Sequence, residues 1–284
     1  MTVQQITGWF FLACAVFYSL WIIKDIISDR EGFRAQPGSL LKIMISEFVV
    51  YIIATIGISD FVMNTIVIKT QKLAEPDTLP DSLITSGIVP GSAIGVMYLM
   101  TAGHVDSILI IIMMVGLIIG SHIGAQAVGK MNGKTIKTAM VTLLAVLLVV
   151  LIVKNFIAGE PGELTSLSGV KLVILSVCTL LLGFVNMLGI PTKPFFTTLF
   201  LMLGLSPLTT LALLLGTIPI SVITGGLSVV KRKRYNKKLA LSAIVTGSIA
   251  AVIGCSLAIT LDQGTLNILL IVVILTAIIS LIKK

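Results

Sequence analysis

Charged residues are scarce in this chain: 11% of its 284 positions, against 56% hydrophobic. An average soluble domain carries about a quarter charged residues, so this composition, with a mean hydropathy of +1.11, excludes an ordinary soluble fold and places the chain in lipid. Cysteine is sparse too. Cys14, Cys178 and Cys255 lie scattered in apolar segments without ligand spacing, which leaves no disulfide framework or metal site to expect and assigns them to buried packing. Arginine is missing between 35 and 231. No Walker A sequence occurs, and no cofactor is expected. The first apolar segment lacks a basic flank before it and a small-residue cleavage site, so it reads as a retained helix rather than a signal peptide.

What the chain has in abundance is apolar length. Uncharged stretches near 6–23, 82–103, 107–129, 138–153, 206–230, 239–261 and 263–282 are long enough for helices crossing a hydrocarbon core that needs about 20 residues, and too long for barrel strands. The expected fold class is an all-α polytopic membrane protein. The net charge of +8 then has a topological reading rather than a nucleic-acid one. The densest basic run, "KRKRYNKK" at 231–238, marks a cytoplasmic loop. Counting outward from it puts Lys24, Arg30, Arg34, Lys42, Lys69, Lys72, Lys130, Lys134, Lys137, Lys283 and Lys284 inside, while Asp262, the acidic "AGEPGE" at 158–163, Lys154 and Lys171 fall outside. The N-terminus is expected outside, the C-terminus in the cytoplasm, and the whole in the plasma membrane, its basic loops anchored near anionic lipid.

That count requires 43–72 and 172–203 each to leave and return to the same side. Glu47 and Lys69 bracket the first such hairpin around "GISD", which makes Glu47 an expected interfacial residue. The two halves also repeat. "GIVPGSAI" at 87–94 matches "GTIPISVI" at 216–223, and "IGAQAVGK" at 123 opens a gapless match to "IGCSLAIT" at 253 at almost the same offset. By the charge map the copies run in opposite directions, a secondary-transporter pattern in which the solute site lies between repeats at broken helices. The expected division is an N-terminal helix and loop at 1–42, a first inverted repeat at 43–157, a linker at 158–169 and a second repeat at 170–284. Pro90 and Pro219 should occupy equivalent places in the two copies, each bending a helix beside a tip.

The hairpin tips carry the candidate chemistry. In "GFVNMLGIPTKPFFTTLF" at 183–200, Gly189, Pro191 and Pro194 break an apolar run beside Lys193. A helix starting there offers free N–H groups to an anion, with Lys193, Thr192, Thr197 and Thr198 adding a charge and hydroxyl donors; the competing reading has Lys193 snorkelling to an interface. In the other tip Gly57, Ser59, Asp60 and Asn64 correspond. Asp60 admits three roles there: pairing with Lys193, carrying a coupling proton, or capping its half-helix. Asn186 is an ambiguous neighbour of the second tip. His122, on a stretch whose small residues at 116, 120 and 124 suit close packing, is a second proton-coupling candidate or a histidine satisfied by a neighbouring helix.

These stretches also carry a resemblance. "GIPTKPFFTTLFLMLGLSPLTTLALLLGTIPISVITGGL" from Gly189, the basic loop after it and the weaker first copy resemble the TauE/SafE-type sulfite exporter permeases across most of 43–284, although "ISDF" and "IPTK" replace the run of glycines usual after the break. The resemblance implies transport of a small sulfur-containing anion such as sulfite, a sulfonate or thiosulfate, with no ATPase domain. The expected activity is therefore a secondary permease working by alternating access rather than an enzyme, its partners a small anionic solute, membrane lipids and a possible second copy in a homodimer, without nucleic acid. The alternatives are an intramembrane enzyme acting on a lipid phosphate, which would want clustered Glu, Ser and Arg at the tips, and an anion channel.

Overall fold

A computed structural model of the chain describes residues 2–101, 105–136, 138–139, 141–142 and 162–258. The segments expected at 138–153, 158–163 and 263–282 lie wholly or mostly outside the described residues, as do His104, Lys137, Lys154, Asp262, Lys283 and Lys284. In chain order the helices are α1 (Val3–Ser28), α2 (Arg30–Ala35), α3 (Leu40–Ala54), α4 (Asp60–Gln71), α5 (Leu79–Thr101), α6 (Ser107–Val128), α7 (Val170–Asn186), α8 (Lys193–Met202), α9 (Pro207–Thr217), α10 (Pro219–Arg232) and α11 (Lys237–Ser242), then a π-helical turn (Ala243–Gly247) and α12 (Ser248–Ala258). Among the described residues five stretches are long and apolar enough to cross a membrane: Val3–Ser28, Leu79–Met100, Ser107–Val128, Thr209–Arg232 and Lys237–Leu257. The protein is an all-helical, multi-pass membrane protein.

Side-chain size decides how these helices pack. Gly116, Gly120 and Gly124 line one face of α6, where an added Cβ would collide with Thr179, the Leu180 carbonyl or the Phe184 backbone of α7. In lipid, where burial of apolar surface contributes little between helices, such close backbone approach is what holds a pair together. Helix α1 opens with a capping box of Thr2 and Gln5 and presses Phe11 and Tyr18 into notches left by Gly95 on α5 and Gly226 on α10. Its opposite face exposes Trp9, Val16 and Leu20, as expected of a surface solvated by lipid tails.

Two helix pairs are broken rather than continuous. Helices α3 and α4 turn at Gly57, with φ of 90°, and α7 and α8 turn at Gly189, with φ of 77°, a region an L side chain enters at a cost. In each pair the second helix folds back beside the first. Gln71, the last residue of α4, donates to Ser46 midway along α3 at 2.9 Å, and Lys171 near the start of α7 donates to the Leu203 carbonyl just past α8 at 2.8 Å. The prolines of the repeat motif are both buried. Pro219 opens α10 after a break at Ile218, whereas Pro90 stays inside an unbroken α5.

The basic loop is held by the protein itself. Arg232 binds Asp81 with two nitrogens, at 2.6 and 3.2 Å, Lys237 reaches Asp29 at 2.7 Å, and Lys233 reaches Asp25 at 3.1 Å. A loop expected only to sit near lipid is thus an internal latch joining the ends of α1, α5 and α10. The Lys237 ammonium and the Gly32 N–H, both donating to Asp29, hold that carboxyl below the usual range. Burial, helped by a hydrogen bond to Asp25, pushes the Tyr235 phenol far up.

Candidate functional site

Both breaks deliver the first residue of a helix to the same place. Asp60 is the first residue of α4 and Lys193 the first of α8, and their side chains meet at 2.8 Å with 14% and 12% of their surfaces exposed. The geometry forms the expected pair with Lys193, and the N-cap of α4 is Ser59 rather than Asp60. A local penalty makes the pair necessary. Asp60 complements the positive end of its own helix, but Lys193 sits at the positive end of α8, where a cation is disfavoured.

A small cavity of about 30 Å³ opens beside the pair. Its polar lining is Ser59, Asp60, Asn186, Thr192 and Lys193; Phe61, Ile94, Leu214, Ile218 and Val222 supply much of the apolar wall. Space for it comes from α5. A Cβ on Gly91 would meet nothing within 4 Å, and one on Gly87 would lie 3.4 Å from Asp60. Neither Ser59 nor Thr192 caps its helix with its side chain, so no cap competes for the first-turn N–H groups. The Thr192 hydroxyl instead donates to Asn186 Oδ1 at 3.0 Å, and Asn186 Nδ2 donates to Ser221 Oγ, which fixes the amide against α10.

The sign of the cavity follows from counting charges. Lys193 and Asp60 cancel, while two helix N-termini contribute about half an elementary charge each, leaving the site net positive. Hydroxyl, amide and ammonium donors converging in an apolar wall suit a small anion.

Other expected site residues fall elsewhere. Gly57, Gly189 and Pro191 shape the turns without lining the cavity. The Thr197 hydroxyl is taken by the Lys193 carbonyl at 2.9 Å. Asn64 faces α5, donating to Ser86 Oγ at 3.3 Å. His122 is exposed on α6, its Nε2 2.8 Å from Gln126 Nε2, and is not among the cavity's lining residues. Glu47 is the largest correction. Helix α3 begins at Leu40, which places Glu47 in its middle rather than in its first turn, and the residue is 0% exposed. Gly87, Gly91 and Val222 were not expected at the site; they belong to the repeated "GIVPGSAI" and "GTIPISVI" motifs, whose signal in the sequence was the repeat itself.

A family model described as sulfite exporter TauE/SafE matches residues 79–281, a range that takes in α5, the second break and the basic loop. No curated protein and no solved structure gives a match.

Proposed function

The chain belongs to the sulfite exporter TauE/SafE family, a family of membrane transporters, and from that membership and the cavity between the breaks we propose that it moves a small sulfur-containing anion such as sulfite, a sulfonate or thiosulfate. The observation that carries this reading is the Asp60–Lys193 pair, which joins the two halves at a cavity with net positive character. The breaks are re-entrant tips of two inverted repeats, the first running through 43–157 and the second through 170–284, and the anion site lies between them. Alternating access follows from that placement. An anion entering the cavity competes with Asp60 for Lys193, which loosens the tie between the tips and lets one half tilt against the other. The lipid-phosphate alternative wants arginine at the tips, but Arg232 and Arg234 are both held by Asp81 at the basic loop.

The test is uptake by the purified protein in liposomes in the plasma-membrane orientation with the basic loop inside, against a panel of sulfite, thiosulfate, methanesulfonate and small carboxylates. Saturable uptake of a sulfur oxyanion, competed by its relatives and lost on Lys193→Gln, is the expected result. Uptake of carboxylates alone, or of no anion, would remove the assignment.

A further inference from the structure

Glu47 is a buried carboxylate that the anion site does not use. It is 0% exposed in the middle of α3, and neither carboxylate oxygen has a hydrogen-bond partner among the described residues. Asn64 of α4 lies within its reach, and the Oδ1 of Asn64 is likewise buried and without a partner. Around them the polar groups are engaged: Asn64 Nδ2 donates to Ser86 Oγ at 3.3 Å, and the Tyr51 hydroxyl donates to the Ser86 carbonyl at 2.7 Å. The π-helical turn packs against the same stretch of α3, with Thr246 donating to the Met44 carbonyl at 2.8 Å and Gly247 against the Tyr51 ring. Single π-turns of this kind concentrate at functional positions.

Several charges on the surrounding helices are like in sign or engaged elsewhere. Helix α4 brings Asp60, a like charge that acts on Glu47. Helix α11 carries Lys237, which binds Asp29, and Lys238, which donates to the carbonyls of Gln36 and Gly38. The π-turn and α12 bring Thr246, Ser248 and Cys255, and among their described residues no charge. An ionised carboxylate left without a partner in such a place is prohibitively costly, whereas a protonated one satisfies two orphans at once, its O–H donating to Asn64 Oδ1.

We propose that Glu47 is a proton-binding site coupled to the anion cavity: it rests as a carboxylic acid that donates to Asn64, and releases its proton only when the transport cycle opens this region to water. The coupling rests on the anion reading of the Asp60–Lys193 cavity; the proton site itself does not. Ionised, Glu47 adds a second negative charge beside Asp60 and opposes an incoming anion through a low-dielectric interior. Protonated, it removes that opposition, so anion and proton bind together and travel in the same direction. Linkage makes the effect mutual, and couplings of this kind are worth about 5- to 150-fold in affinity.

Two measurements on the full-length protein separate the proton site from the transport reading. Infrared difference spectra in membranes at neutral pH should show the C=O stretch of a protonated carboxylic acid that disappears in Glu47→Gln and survives in Asp60→Asn; identical wild-type and Glu47→Gln spectra overturn the proposal whether or not any anion is carried. In liposomes, an acidic exterior should drive accumulation of thiosulfate, whose charge is constant over the working pH range. Glu47→Gln should lose that accumulation while keeping thiosulfate exchange within about twofold of wild type, since Gln mimics the protonated acid and need not disturb the fold. Glu47→Asp, which keeps the acid, should retain part of the accumulation. Undiminished accumulation in Glu47→Gln, or accumulation driven by sodium and indifferent to pH, overturns the coupling. If wild type carries no anion of the panel while the infrared band behaves as expected, the transport reading has failed and the proton site stands.

Discussion

At Gly57 the chain turns through Ile58 and Ser59 into a helix whose first residue is Asp60; at Gly189 it turns through Ile190, Pro191 and Thr192 into a helix whose first residue is Lys193. The backbones share a left-handed glycine after one helix and an N-terminus without a side-chain cap opening the next, but Ser59 is extended where Thr192 is helical. The charges are opposite. The positive helix ends favour Asp60 and oppose Lys193, each by roughly 0.3–1 kcal/mol, so the first tip is content with its residue and the second depends on a neighbour. The surrounding donors are unequal as well. Thr192, Asn186 and Ser221 form a connected set at the second tip, while the first tip keeps Asn64 turned away toward Ser86. The comparison teaches that two similar breaks are specialised by the charged residue each carries and the amide beside it.

The harshest way to break that comparison is to remove the dependent charge. Lys193→Gln leaves Asp60 with its partner gone in a mostly buried site, and should cost about 3 kcal/mol of stability and lower anion affinity by about 10- to 100-fold, the range for losing a charge-assisted hydrogen bond; thermal unfolding in detergent and anion titration check the two parts. Lys193→Arg should recover the stability and only part of the affinity, because a planar fork does not replace a compact ammonium.

Exchanging the charges sharpens it. Asp60→Lys combined with Lys193→Asp restores the pair, so stability should return to within about 1 kcal/mol of wild type, whereas anion affinity should stay low because the Thr192–Asn186 donors no longer flank the lysine. Wild-type affinity in the exchanged protein would show that the two tips are interchangeable after all.

Smaller effects test the part that is shared. Gly57→Ala and Gly189→Ala each force a side chain into positive φ, and each should destabilise by about 1 kcal/mol with similar losses at the two tips; a large difference in unfolding midpoint would mean that the backbones are not equivalent in what they bear. The mildest change lies away from both tips, where water screens the Asp29–Lys237 contact. The Asp29 carboxyl is held low when folded, so what it contributes is present above the ordinary carboxylate range near about 3.9 and is lost as pH falls through the lowered value. Asp29→Asn should therefore be slightly less stable than wild type at neutral pH and converge with it in acid, in the same unfolding assay.

The hydropathy of the chain and the placement of its glycines and prolines were enough to determine that it is a helical membrane protein, that α1, α5 and α6 cross where they do, that two helix pairs break at Gly57 and Gly189, and that the small residues of α6 face another helix. These follow from local rules: backbone groups in lipid must be satisfied within a helix, and only particular residues interrupt one. Tertiary structure decided the rest. That Asp60 pairs with Lys193 rather than capping its helix, that His122 faces outward, that Asn64 turns to Ser86 and that Glu47 is buried depend on which face each helix turns to its neighbours. Helix α3 shows why: its apolar stretch runs from Leu40 through Ala54 with Lys42 and Glu47 as its charges, so sequence placed both near an interface, and only the packing of α4, α11 and the π-helical turn around it separates a residue in contact with water from one sealed 0% exposed inside the protein.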